Sequence, residues 1–301
     1  MLNIKRKTRD TLQGYAFVAP AIATTMVFLG IASIFVLFMS FNRVNIIQQS
    51  YEWVGFNNYR LAWGDPMLRR AIRNTLTFSA VVVPTQTFLA LVIASVLNSN
   101  IKFKKTFRSI VFLPTLTSSA ALTMIFMFMF SMRGPVNSMM IAMGLLEMGE
   151  PINFLRSSQW SMRVIMIMNI WSTIPMYMTL YLASLQELPK SMYEAASIDG
   201  ANEFKKFFYI TIPYLRPITT FVLLTGVIGT LQMFDQAFIF SGGDGGPANS
   251  TLTIALLVYR YAFGPGSAMG YASTIAILLM VLILTISFIV NKLNKGDERV
   301  Y

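Results

Sequence analysis

Neither cysteine nor histidine occurs among the 301 residues. The first absence excludes disulfides, thiol nucleophiles and thiolate metal ligands. The second removes the side chain that most often shuttles protons or binds transition metals. Charge is scarce too: 12% of residues are charged against 55% hydrophobic, and the mean hydropathy is +0.58. Those proportions place the chain among integral membrane proteins. No Gly-Lys dipeptide is present, so there is no G-x-x-x-x-G-K-[ST] phosphate loop. The apolar runs contain almost no ionisable residue, whereas ion- or proton-coupled transporters place such groups at mid-bilayer. The exception, Asp235, is read as an interfacial carboxylate or a partner to an arginine rather than an ion-coupling group. If the chain moves a solute uphill, the energy enters from another subunit. The formal charge of +11 is assigned to the cytoplasmic face, against anionic lipid and partners, and not to nucleic acid.

Six charge-free intervals are present, at 11–42, 74–101, 109–132, 164–186, 217–234 and 261–291. About 20 helical residues cross a hydrocarbon core of about 30 Å. Five intervals are long enough, and that beginning at Pro217 becomes so by running past Asp235 to Phe240. The expectation is an all-α integral membrane protein with six helices, near 15–41, 75–97, 109–131, 163–185, 218–240 and 270–291. With both termini inside, 15 basic residues, including every lysine, fall on the inner side and nine arginines on the outer. That asymmetry favours N-in, C-in, although Arg69, Arg70 and Arg73 argue the other way. The first apolar run is far longer than a signal-peptide core, so a retained helix is expected. Outer segments are expected at 43–73, 133–162 and 241–269. The middle one carries GPVNSMMIAMGLL, too short to span and read as a lateral or surface helix; the last opens with the turn-rich SGGDGGPANST. Thirteen of the 21 methionines lie between Met124 and Met178, a soft apolar filler without the histidine or cysteine a metal site would add. Organisation follows as residues 1–74 (tail, first helix and outer loop), 75–291 (a five-helix core including the loop 187–217) and 292–301 (an inner tail).

The loop 187–217 is unlike its surroundings. Six charged residues stand between Glu194 and Arg216, both included. Pro189 suits a first helical position, KSMYEAAS continues as helix, and Gly200 can end it in the left-handed conformation. A second short helix can begin near Asn202, placing Phe204, Phe207 and Phe208 on one face with Lys205 and Lys206 mostly off it. Pro213 and Pro217 close the element. It reads either as an amphipathic connector on the lipid surface or as a docking element for a cytoplasmic partner.

YEAASIDGAN followed by ITIPYLRP closely resembles the EAA loop of binding-protein-dependent ABC importer permeases, in the carbohydrate-uptake branch (maltose and sn-glycerol-3-phosphate types). Glu194, Ala195, Ala196, Asp199, Gly200, Ala201, Ile212 and Pro213 match its pattern. The likeness extends to VGFNNYRLAWGDPMLRRAIRNTLTF at 54–78, FRSIVFLPTL at 107–116, GPVN at 134–137 and NIWSTIPMYMTLYLASLQELP at 169–189. GGPANST at 245–251 is similar to the first, maltose-type member of the permease pair.

The resemblance implies a type I importer permease, a non-catalytic subunit in a bacterial or archaeal cytoplasmic membrane that moves sugar, including oligosaccharide, by alternating access. Its implied partners are a second homologous permease, an ATPase dimer that uses ATP and Mg, and an external solute-binding protein; no cofactor is bound by the chain itself. The EAA loop would be the coupling helix. Phe204, Phe207 or Phe208 would pack in or beside a groove on the ATPase, with Glu194 and Asp199 accepting hydrogen bonds at its rim. The helices flanking the loop would line the pathway, making Asn169, Ser172, Thr173 and Met176, beside Trp171, candidates on one helix, and Gly226, Thr230 and Gln232 on the next. Hydroxyls and a ring suit a sugar; small and hydroxylated residues serve helix packing equally well. Met176 departs from the polar or small residue often found there. The same architecture could carry glycerol phosphodiesters or an acidic oligosaccharide, given the outer arginines. A membrane enzyme or scaffold is the other class, disfavoured by the missing histidine, cysteine and paired intramembrane carboxylates.

Overall fold

In the computed structural model the described residues are 2–45, 50–99, 101–147 and 149–294. From the N-terminus, α1 (Leu2–Thr25) continues through a π-helical turn into α2 (Ala32–Ser40). A short hairpin follows, β1 (Asn42–Asn45) antiparallel to β2 (Ser50–Trp53), and then α3 (Asn57–Gly64). Next come α4 (Pro66–Asn98), α5 (Lys104–Phe112), α6 (Ser119–Met129), α7 (Pro135–Ala142) and α8 (Ser161–Glu187). The loop contributes α9 (Lys190–Ile198), α10 (Glu203–Lys206) and α11 (Ile212–Tyr214). The chain then runs through α12 (Arg216–Leu231), α13 (Asp235–Ser241), α14 (Ile254–Phe263) and α15 (Met269–Asn294). Among the described residues five helical stretches are long and apolar enough to cross a membrane, six if the bent pair α5–α6 counts as one span.

The charge-free intervals located these spans, and the departures from them have local causes. The second span was expected from 75, but α4 begins at Pro66, whose fixed φ suits a first helical position while Asp65 caps it by accepting from Met67 N at 2.7 Å. Its 33 residues make a rod of about 50 Å. The rod outruns the hydrocarbon, so Arg69, Arg70 and Arg73 ride on helix beyond the apolar part. The third span was expected as one helix over 109–131. Instead α5 and α6 meet at 102°. Pro114 lies in a 3₁₀ turn between them, and Ser118 starts α6 afresh, its Oγ accepting from Ala121 N at 3.3 Å. The fifth is interrupted between Leu231 and Asp235. The uncharged stretch after Gly134 does form a short helix, α7. Asn137 anchors it by donating to Ser131 O and Ile152 O and accepting from Ile152 N at 3.0 Å.

Two compact units are distinguished, residues Met1–Gly64 with Tyr261–Ile277, and Asp65–Arg260 with Leu278–Tyr301. In the first, the C-terminal end of α2 is tied down by polar contacts. Asn58 Nδ2 donates to Ser40 O (2.9 Å) and Asn42 O (3.1 Å), and the Ser40 and Tyr59 hydroxyls share a hydrogen bond of 2.8 Å. Phe41 stacks on Trp53 and meets Phe56 edge-on. The start of α15 crosses this corner at Gly270, where a Cβ would lie 1.8 Å from Asn42 O.

In the second unit α4, α8 and α12 build the interior. Ala90 and Ala94 let Tyr177, Met178, Tyr181 and Leu185 close against α4, while Leu215 and Val222 complete the cluster. Asn74 Nδ2 reaches Asn249 O at 2.8 Å and Leu252 O at 2.9 Å, fastening the Gly-rich connector to α4. Many hydroxyls in the spans bond back to their own helix, Thr85 to Val81 O, Thr179 to Pro175 O, Thr225 to Phe221 O and Thr285 to Val281 O.

Candidate coupling element and pathway face

The loop 187–217 is a folded element. Pro189 sits one residue earlier than expected, at the N-cap of α9. At the other end Gly200 has φ 77°. Ala201 N donates to Ala196 O at 2.9 Å and Gly200 N to Ser197 O at 3.1 Å. This crossed pair is the Schellman closure, and it explains why glycine stands four residues after Ala196. The chain restarts at Asn202, whose side chain accepts from Lys205 N at 2.9 Å. The element is latched at its base by the Tyr193–Thr211 hydroxyl pair, 2.5 Å apart.

Of the three phenylalanines, Phe204 and Phe208 are exposed and Phe207 is half-buried. Phe204 and Phe208 rings are 4.6 Å apart, Phe207 meets Phe208 edge-on, and Phe204 is 71% exposed. Glu194, Ala195 and Asp199 are exposed as well, while Ala196 and Ala201 are half-buried against the turn. Sequence reasoning missed Ile198, 87% exposed, and Tyr209, 80% exposed; both extend the apolar surface. It also missed Lys206, which is buried and pairs with Glu203 Oε1 at 2.7 Å. Only the aromatic periodicity was readable; Lys206 differs from Lys205 by a third of a helical turn, enough to move it from solvent to the inside.

The expected pathway residues divide into two groups. Gly226, Thr230 and Thr173 are engaged between helices, and Asn169 is buried within α8. Thr173 Oγ1 donates to Gln86 Oε1 at 2.7 Å, and a Cβ on Gly226 would lie 2.7 Å from Gln86 Nε2. Thr230 Oγ1 donates to Ser79 Oγ at 2.8 Å, with both residues buried. Asn169 is buried too; its main-chain oxygen accepts from the Ser172 and Thr173 hydroxyls, and its side-chain Oδ1 has no hydrogen-bond partner. Trp171, Ser172, Met176 and Gln232 retain open surface; Trp171, 45% exposed, leans on Phe126 with centroids 5.7 Å apart. Gln86, 1% exposed, is the polar centre of the three-helix contact and was not singled out by sequence; the only signal was an amide inside an apolar run.

Thr230 yields a first expected outcome. Thr230→Val keeps the shape and removes the hydroxyl, leaving Ser79 without this partner. The loss is about 1–2 kcal/mol of thermal stability in detergent, with solute preference unchanged in competition uptake. A changed preference with unchanged melting would place Thr230 on the pathway instead.

A multi-pass scaffold with a projecting, Gly-closed helix pair is the architecture of an importer permease. The family described as "Binding-protein-dependent transport system inner membrane component" matches residues 86–296, and the chain belongs to that family. It is a multi-pass inner-membrane protein and a non-catalytic permease subunit. Among its relatives are the lactose transport system permease protein LacF of Rhizobium radiobacter, 37% identical with 92% of each chain covered, and the arabinooligosaccharides transport system permease protein AraP of Bacillus subtilis, 34% identical over 94% of this chain and 90% of that one. In fold it matches a chain of a bacterial ABC transporter involved in the import of the acidic polysaccharide alginate, with TM-score 0.80, 24% identity, and 99% of this chain and 100% of that one covered. That transporter has also been solved in complex with an alginate pentasaccharide-bound periplasmic protein.

Proposed function

We propose that the chain is one of two permease subunits of an ATP-driven importer of sugars, including oligosaccharides. Its partners are a second homologous permease, an ATPase dimer that binds ATP and Mg, and an external solute-binding protein. The relatives transporting lactose and arabinooligosaccharides support the substrate class. Six spans run with both termini in the cytoplasm, α5 and α6 together forming the third. Residues 1–74 form the N-terminal span and outer loop, 75–291 the permease core and 292–301 the inner tail; 295–301 lie outside the described residues.

The observation carrying this reading is the uncovered apolar surface of Ile198, Phe204, Phe208 and Tyr209 on a loop otherwise closed by polar caps. A polar element that orders itself and still leaves aromatic side chains open is built for a protein partner. ATP-driven closure of the ATPases would carry α9 and α10 as one body, because the Schellman closure and the Tyr193–Thr211 bond leave little play within them. Glu194 and Asp199 then lie exposed at the rim of the contact, and the sugar moves along the face of α8 that bears Trp171, Ser172 and Met176. Arg70, Arg73 and Arg163 lie elsewhere, so the pathway face itself gives an acidic solute no counter-charge.

The test is uptake of radiolabelled lactose and arabinooligosaccharides into vesicles bearing the complex, with ATP inside and the binding protein outside. Wild type is expected to accumulate at least one of them. Phe204→Ala with Tyr209→Ala is expected to weaken ATPase retention on the purified permeases about tenfold or more, removal of large interface aromatics costing 2 kcal/mol or more. Unchanged retention and uptake in that double variant would assign the loop to the lipid surface.

A further inference from the structure

A cleft of about 700 Å³ runs between α4 and α8. Arg70 and Arg73 of α4 and Arg163 of α8 stand at one end of it, and no acidic side chain lines it. The ion pairs Arg43–Glu52 and Lys206–Glu203 do not involve these arginines, and the Arg163 guanidinium lies over the Trp160 ring, 5.0 Å from its centroid. Ser250, 5% exposed, lines the same cleft, and its hydroxyl has no hydrogen-bond partner. A buried hydroxyl left unsatisfied beside three uncompensated guanidinium groups signals an anionic group to be received there.

The rest of the cleft identifies what carries the anion. On α4 the lining continues from Arg70 to Thr85, a stripe of about 22 Å at 1.5 Å per residue. One leaflet of hydrocarbon is about 15 Å deep. Facing that stripe are Met166, Ile167 and Ile170 of α8. Val81 and Ile167 are 44% and 47% exposed on helices that cross the membrane. The polar lining, Asn74, Thr77, Ser158, Gln159 and Ser250, is joined along the trough by Thr85, whose hydroxyl is already spent on Val81 O. At about 100° per residue, the Arg163–Ile167–Ile170 face lies on the opposite side of α8 from Ser172 and Met176, with Trp171 between the two faces. A cationic mouth above an apolar trough of leaflet length fits an amphiphile.

We propose that this cleft is a binding site for one anionic phospholipid, its phosphate received by Arg70, Arg73, Arg163 and Ser250 and one acyl chain lying along Val81, Ile167 and Ile170. The inference does not depend on which solute is transported. It stands on span geometry and charge.

The experiment uses the assembled transporter in phosphatidylcholine nanodiscs doped with one of two photoactivatable probes, phosphatidylglycerol or phosphatidylcholine bearing the same diazirine acyl chain. Labelled peptides of this chain are mapped by mass spectrometry. Labelling by the anionic probe is expected to concentrate on residues 77–85 and 162–170 and to exceed that by the zwitterionic probe. Each arginine is expected to contribute about fivefold to that preference, so the triple variant Arg70→Gln, Arg73→Gln, Arg163→Gln abolishes it. Ile167→Trp, which fills the trough and leaves the charges in place, is expected to reduce labelling by both probes. Equal labelling by the two probes in wild type overturns the proposal, as does a preference that survives the triple variant. Displacement of the probe by millimolar inorganic phosphate or glucuronate also overturns it, because the cleft would then be a site for a free anion or an acidic sugar.

Discussion

Gly200→Val is expected to abolish ATP-driven uptake, by at least about tenfold, while the chain still inserts and assembles. No atom would lie within 4 Å of a Cβ at this position, so crowding is not the reason. The reason is φ 77°, a conformation that costs an ordinary L-residue about 1–2 kcal/mol and a β-branched one more. The valine variant relieves that cost by giving up the turn, and with it the bonds Ala201 N to Ala196 O and Gly200 N to Ser197 O. α9 then loses its fixed angle to α10, and motion of the ATPases is no longer passed on. Gly200→Asn separates backbone conformation from mere substitution, since asparagine tolerates the left-handed region, and it is expected to retain most uptake. The readings are sugar accumulation and ATPase stimulation by the loaded binding protein. Full activity in the valine variant would show that the turn does not transmit force.

Gly270→Ala is expected to fail earlier, at folding. Its Cβ would fall 1.8 Å from Asn42 O and 3.0 Å from Met39 O, and both obstacles are backbone atoms that no rotamer change can clear. The crossing of α15 over the end of α2 must then open. Opening it strains the bond from Thr274 Oγ1 to Ser40 O, 3.1 Å, and the buried Asn42 beside it. Overpacking in a core costs typically about 1–3 kcal/mol, and a clash with main chain belongs at the upper end or beyond. The measurement is the amount of monodisperse protein after detergent extraction and its melting temperature. Both should drop sharply, and truncating Met39 to alanine should not restore them, because its side chain is not the obstacle. Wild-type yield and melting would mean that the two helices do not meet at this distance.

The sequence revealed the spans because water and lipid sort residues by charge, and that sorting needs no knowledge of neighbours. It placed α8 and α15 nearly to their ends and missed nine residues of α4, since arginines on helix beyond the hydrocarbon look like loop. The sharp bend between α5 and α6 was unreadable for a different cause: FLPTLTSSAAL is apolar or uncharged throughout, and only Pro114 with Ser118 hints that the helix restarts. The loop 187–217 was the most legible part, because Gly200 and Asn202 carry their backbone roles locally. The pathway was least legible. Thr173, Gly226 and Thr230 had two readings, sugar contact or helix packing, and each meets a residue far off in sequence, Gln86 for Thr173 and Gly226 and Ser79 for Thr230. A hydroxyl's spacing along one helix does not say which neighbour it will meet.

The back-bonded hydroxyls bear on how these spans partition. Thr85 and Thr285 are exposed on their helices, and each returns its proton to a carbonyl in the preceding turn at 2.7 Å. A carbonyl already holding its helical partner accepts a second donor, and the side chain's remaining outward feature is a methyl group. To the surrounding hydrocarbon such a threonine is close to a valine. A transfer scale that charges it for an unmet hydroxyl therefore understates how readily these segments leave water.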